Sequence, residues 1–206
     1  MALWALALYL LYLALAFGGR ALLQLGRTGS TGFRGISGRP GSVEWIGGVL
    51  FVTVPLLGLA APVLDLVGVL EPVAALDEPV GHALGFALFF AGLAWTLLAQ
   101  AAMGTSWRIG VDKTERTDLV TSGPFALVRN PIFSAIVPTF LGLALLVPNA
   151  AALAGLAALV AAIQIQFRFV EEPYLRRMHG DRYAEYAAKV GRLAPGLGLL
   201  RRRMLR

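Results

Sequence analysis

Four stretches of this chain contain no Asp, Glu, Lys or Arg: residues 1–19, 45–64, 79–107 and 130–167, which are 19, 20, 29 and 38 residues long. A helix crossing roughly 30 Å of hydrocarbon needs about 20 apolar residues, so each of the first three accommodates one crossing. The fourth carries Pro148-Asn149 at its centre. That pair breaks a helix and leaves two arms of 18 residues, 130–147 and 150–167, joined by a tight turn. The expected fold is all-α and integral to the membrane, one domain over 1–206. It has five transmembrane helices, a helical hairpin (130–147, 150–172) and a helical C-terminal tail.

Composition agrees. The chain is 57% apolar and 15% charged, with a mean hydropathy of +0.71. Ordinary soluble proteins are about 45–50% apolar and about 25% charged. There is no Cys, which excludes disulfide frameworks, Cys-ligated zinc, iron–sulfur clusters and thiol nucleophiles. The two histidines, His82 and His179, are too far apart to suggest a His-rich metal site, so no metal is expected.

The charge pattern orients the chain. Connection 20–44 carries Arg20, Arg27, Arg34 and Arg39, and connection 108–129 carries Arg108, Lys113, Arg116 and Arg129. Connection 65–78 has four acidic residues and no basic one, and the other ten Lys and Arg follow from Arg168. Five crossings place all 18 basic residues on one side. By the positive-inside rule that side is cytosolic, with the N-terminus outside and the C-terminus in the cytosol. No positive charge precedes the first apolar run, so a cleaved signal peptide is not expected. The net charge of +6 thus reads as a topology signal and an attraction to anionic lipid, not as a nucleic-acid footprint. Gly26, Gly29, Gly32, Gly35, Gly38 and Gly41 recur every third residue. They read as a flexible interfacial loop, or as one that closes over a head group.

Polar chemistry meets the membrane at two segments. In Arg129-Asn130-Pro131-Ile132-Phe133, Asn130 is a good N-cap and Pro131 suits the first helical position. A helix N-terminus beside an Arg favours carboxylate or phosphate. In the second segment Arg168 follows Gln164 by four residues and precedes Glu171 and Glu172 by three and four, so all four share one face of a regular α-helix. Arg129 and Arg168 are each 19 positions from the Pro148-Asn149 turn. An antiparallel hairpin then sets a cationic corner against a pair of carboxylates. Such a site suits a compact zwitterion, and S-adenosylmethionine has an end of that kind. Singly, Arg129 reads as an interface anchor, Asn130-Pro131 as a plain helix start, and Glu171-Glu172 as a solvated helix end.

At these residues the chain resembles the isoprenylcysteine carboxyl methyltransferase and phospholipid methyltransferase superfamily of integral membrane enzymes. The resemblance covers about 103–195. It includes Gly104-Thr105-Ser106-Trp107-Arg108-Ile109-Gly110-Val111, the Gly123-Pro124-Phe125 turn, Arg129-Asn130-Pro131-Ile132-Phe133, Glu171-Glu172, and the tail from Gly180-Asp181-Arg182-Tyr183 to Pro195. Where the family usually has Arg-His-Pro-x-Tyr, Asn130 and Phe133 stand here. The resemblance implies an S-adenosylmethionine-dependent methyltransferase acting on a lipophilic acceptor taken from the bilayer. The reaction is isoprenylcysteine-type carboxyl O-methylation or lipid amine N-methylation. Carried over by position, Arg129, Asn130, Pro131 and Glu172 hold the cofactor, joined by Trp107, Gly123 and Tyr174. Arg168 orients an acceptor carboxylate or a nearby Glu, and for an amine acceptor Glu171 or Glu172 takes its proton.

Two alternatives stay open: an NADPH-dependent membrane reductase of the sterol-reductase type, whose C-terminal element is similar, and a non-catalytic membrane scaffold. The Gly81/Gly85 pair suits helix dimerisation or close packing within the chain. Substituting Glu172 or Arg129 by Ala is expected to abolish cofactor binding and leave the protein folded, because both residues are expected at the interface.

Overall fold

The computed structural model describes residues 1–33, 35–36, 38–107 and 118–200. Arg34, Arg108, Ile109, Gly110, Val111, Lys113, Arg116, Arg201, Arg202, Arg203 and Arg206, which belong to the charge pattern or the resemblance above, lie outside them. Helix α1 (Ala2–Tyr12) passes through a π-helical segment, Leu13–Gly19, straight into α2 (Arg20–Thr28). Gly29, at φ 73° in the left-handed region that Gly tolerates, ends the run. The first connection therefore begins at Gly29, not at Arg20. Nothing in the sequence breaks the helix at Arg20, and partners inside the fold hold that side chain. Five of the recurring glycines, Gly29, Gly32, Gly35, Gly38 and Gly41, all have positive φ, so the repeat is a chain of turns.

Helix α3 (Val43–Leu66) starts where Ser42 accepts a hydrogen bond from the Trp45 amide at 3.2 Å. Helix α4 (Pro79–Met103) has Pro at its first turn and ends at Gly104, where φ is 53° and a short 3-10 turn, Gly104–Ser106, follows. Helix α5 (Pro124–Leu127) is one turn. Helices α6 (Pro131–Leu146) and α7 (Ala150–Ile165) form the expected hairpin. Asn149 is buried in its turn. Its side chain caps the Ala152 amide at 3.0 Å and donates to the Ala61 carbonyl at 2.9 Å, which ties the turn to α3. A second π-helical segment, Gln166–Glu171, leads into α8 (Glu172–Lys189), which kinks at Gly180.

Among the described residues, four helices are long and apolar enough to cross a membrane: Ala2–Thr28, Val43–Leu66, Pro79–Ser106 and Ala150–Lys189. The expected fifth, α6, is apolar but only 16 residues long, about 24 Å at 1.5 Å per residue. It is largely internal and packs along α4. A Cβ on Gly142 would lie 2.5 Å from the Gly85 carbonyl, and one on Gly92 would collide with Thr139 Oγ1. Small residues thus let the two backbones approach closely. Gly85 is used for packing within the chain. Tyr9, Tyr12, Phe89 and Phe140 form the aromatic centre, with Tyr12 edge-on to Phe140 at 5.8 Å and to Phe89 at 6.4 Å.

The antiparallel α4–α6 register positions everything below. Gly85 faces Gly142, and Gly92 faces Ala135 and Thr139. Extending that register puts Arg129, just before α6, level with the last turns of α4.

Candidate functional site

Arg129 precedes α6 because Pro131 fixes the helix start behind Asn130. Glu172 opens α8. The two meet as a buried ion pair, Arg129 Nη2 to Glu172 Oε1 at 2.9 Å, with 6% and 5% of each residue exposed. A third residue completes the group. Arg192 donates from Nε to Glu172 Oε1 at 2.7 Å and from Nη2 to Oε2 at 2.9 Å, a two-point clamp on the carboxylate. Its guanidinium also lies 4.8 Å over the Phe167 ring.

The segment that carries Arg192 lies along the start of α6. The Arg129 amide donates to the Gly191 carbonyl at 2.8 Å, and the Asn130 amide to the Arg192 carbonyl at 3.1 Å. Ser134 Oγ donates to the Leu193 carbonyl at 2.8 Å, and a parallel bridge joins Val128 to Gly191. Arg129 also donates from Nη1 to the Ala187 carbonyl at 2.8 Å and from Nη2 to the Gly198 carbonyl at 3.0 Å. Its Nε is buried with no partner among the described residues. Among the described residues, the ion pairs of this cluster thus set two guanidiniums on one buried carboxylate, two positive charges against one negative.

The sequence-derived site divides. Arg129, Asn130, Pro131 and Glu172 come together. Asn130 occupies the cap position but its side chain makes no cap bond; Nδ2 donates to the Arg192 carbonyl at 3.3 Å instead. Arg168 is exposed, while Glu172 is buried. The shared face expected for Gln164, Arg168, Glu171 and Glu172 fails because the Gln166–Glu171 turns are π-helical. Each such turn holds an extra residue, so positions four apart no longer superpose. Glu171 accepts from Gln166 Nε2 at 3.4 Å. Tyr174 is buried at 3%. Gly123, with φ 58°, shapes the turn before α5, where a Cβ would sit 3.7 Å from Ala102 at the end of α4.

Trp107 belongs elsewhere. It is 2% exposed, lies 4.9 Å beneath the Arg20 guanidinium, and packs edge-on against Phe33 at 6.5 Å. In the sequence Arg192 is one basic residue of the tail, and nothing in the charge pattern marks its part in the cluster. Its one local signal is the Gly191-Arg192-Leu193-Ala194-Pro195 turn. The burial of Arg129 and Glu172 also changes what their substitution does. Each removes a partner from a buried ion pair, which costs stability as well as any ligand.

Residues 80–182 match the model of the phospholipid methyltransferase family. The match runs from the start of α4 into α8. It includes Arg129 and Glu172 and leaves out Arg20 and Arg192. No curated protein matches the chain.

Proposed function

We infer what this chain does from one premise: it belongs to the phospholipid methyltransferase family. It is a membrane methyltransferase of the phospholipid or isoprenylcysteine kind, built from apolar helices long enough to span a bilayer. Beyond that, we propose that the methyl donor is S-adenosylmethionine and that the Arg129–Glu172–Arg192 cluster holds its amino-acid end. The observation that carries this is the charge surplus. A ligand carboxylate placed there balances two guanidiniums that otherwise share one anion, and the buried Nε of Arg129 has a hydrogen bond still to make. The residues present therefore fit the carboxylate end of the cofactor.

In this reading Arg129 and Arg192 bind the carboxylate, and Asn130 and Pro131 shape the backbone beside it. Glu172 keeps both guanidiniums aimed. Glu171 takes a proton from the acceptor, and exposed Arg168 orients the acceptor's head group at the membrane surface. Gly123 and Tyr174 support the pocket wall. The cofactor supplies a methyl group already activated on a sulfonium, so the protein's main task is to align donor and acceptor and keep water out. The acceptor is lipophilic and arrives from the bilayer, for O- or N-methylation.

The basic side, with the C-terminal tail, faces the cytosol and the N-terminus faces out. A Cys introduced at Ala75 is expected to react with an impermeant thiol reagent from outside, and one at Gly196 is not; the opposite labelling overturns the orientation. Calorimetric titration of the detergent-purified protein with S-adenosylhomocysteine and, separately, with NADPH tests the activity class. Binding of the first alone is expected. Binding of NADPH alone points to a reductase, and binding of neither points to a scaffold.

A further inference from the structure

Helix α2 has its polarity reversed relative to a surface helix of a soluble protein. Arg20 and Gln24, four residues apart, are buried at 6% and 4%, while Leu22 and Leu23 point outward at 70% and 57% exposure. That arrangement suits a helix with hydrocarbon outside and a polar site within.

The polar side is only partly satisfied. Arg20 Nη2 donates to the Gly104 carbonyl, and the guanidinium stacks on Trp107. Gln24 Nε2 donates to the Thr105 carbonyl at 2.7 Å and Gln100 Nε2 to the Ala16 carbonyl at 2.8 Å. Those bonds fix both amides, so each leaves its oxygen over. Arg20 Nε, Gln24 Oε1 and Gln100 Oε1 are all buried without a partner among the described residues. No Asp or Glu pairs with Arg20 among those residues either. A buried guanidinium with no counter-ion among the described residues has charge left to answer, and its planar fork of N–H donors matches phosphate oxygens. The π-helical segment that ends at Gly19 aims Arg20 inward.

The location fits a lipid. Gly104 is the end of α4, and the α4–α6 register sets Arg129 level with the same end. Leu22 and Leu23, on the outward face of the same helix, suit contact with acyl chains.

We propose that Arg20, with Gln24, Gln100 and Trp107, forms a binding site for the phosphodiester of a glycerophospholipid. The phosphate sits on the Arg20 guanidinium, and the two amide oxygens meet hydrogen-bond donors of the head group. That this lipid is the methyl acceptor rests on the methyltransferase reading above; the site itself does not.

The test uses the full chain in detergent and four probes: dihexanoyl phosphatidylethanolamine, dihexanoyl phosphatidylglycerol, dihexanoylglycerol and inorganic phosphate. Binding is read by calorimetry. The wild type is expected to bind both phosphate-bearing lipids at least about tenfold more tightly than dihexanoylglycerol or inorganic phosphate. Arg20→Gln is expected to weaken lipid binding about tenfold or more, and Arg20→Lys to keep part of it. Equal affinity for dihexanoylglycerol overturns the site without recourse to any variant. Inorganic phosphate binding as tightly as the lipids overturns the lipid assignment, and unchanged binding by a folded Arg20→Gln overturns the role of Arg20. If the lipids bind and S-adenosylhomocysteine does not, this site stands and the methyltransferase reading falls. The reverse result removes this site alone.

Discussion

Arg20 and Glu172 each stand at the first residue after a π-helical segment, and each is a buried charge carried on a largely apolar helical run. Around Glu172 the charge is answered from within the chain: two arginines grip one carboxylate, and backbone carbonyls take further donors. Around Arg20 the answer is incomplete. Among the described residues, one carbonyl and one indole face meet the guanidinium, and three polar atoms there have no partner. The same local device, a wide turn that redirects a side chain inward, thus serves two ends. In one place it locks the C-terminal segment onto the start of α6. In the other it turns a cation inward onto one carbonyl and one indole face.

The comparison fails most visibly if Glu172 is dispensable. Glu172→Ala strands two guanidiniums in a buried place, and we expect a loss of about 3–5 kcal/mol. The expected readout is a large drop in the thermal transition of the detergent-purified protein. A variant as stable as the wild type would show that the network carries little energy.

Arg192→Ala is the next test. It removes a two-point clamp, but Arg129 still answers Glu172. The expected cost is about 1.5–3 kcal/mol. Limited proteolysis should then cut 190–200 sooner than in the wild type, because Arg192 is the side-chain tie between that segment and α8. Equal cleavage rates would show that the backbone bonds at Gly191 and Arg192 suffice.

Much of the architecture is legible in the charge-free stretches. Hydrocarbon excludes charge, and turn chemistry is local. That is why Pro148-Asn149 and Asn130-Pro131 mark a turn and a helix start that the structure reproduces. The meeting of Arg129 with Glu172 follows from the hairpin. The burial of Arg20 does not. Charge counting places Arg20 in a connection, yet the Gly104 carbonyl that receives it lies 84 positions away. The two π-helical segments were illegible for a related reason. A wide turn is set by tertiary packing, and it rotates every later residue, which is why Arg168 and Glu172 part company. Arg192 was hidden because only the fold brings the end of the chain back to α6.

The smallest expected effect sharpens the contrast. Arg20→Met removes a cation with no carboxylate partner among the described residues, and gives up one hydrogen bond and one stacking contact. The hydrogen bond is worth about 1 kcal/mol and the stacking a similar amount. Relief of desolvation offsets much of that, so the thermal transition should move by about 1 kcal/mol or less in either direction. A loss as large as that of Glu172→Ala would mean that Arg20 already has a counter-ion within the chain, and the two clusters would then be alike.

In the function proposed above, the cluster of Arg129, Glu172 and Arg192 recognises the carboxylate end of the methyl donor. S-adenosylhomocysteine has that end, and 5′-methylthioadenosine keeps the nucleoside and lacks it. Titrating both into the wild type and into Arg129→Gln isolates the contribution of the cluster. The wild type should prefer S-adenosylhomocysteine by about ten- to a hundredfold, the value of a charge-assisted hydrogen bond, and Arg129→Gln should lose most of that preference. Equal affinity of the wild type for the two ligands, or a preference that survives in the variant, would contradict the account.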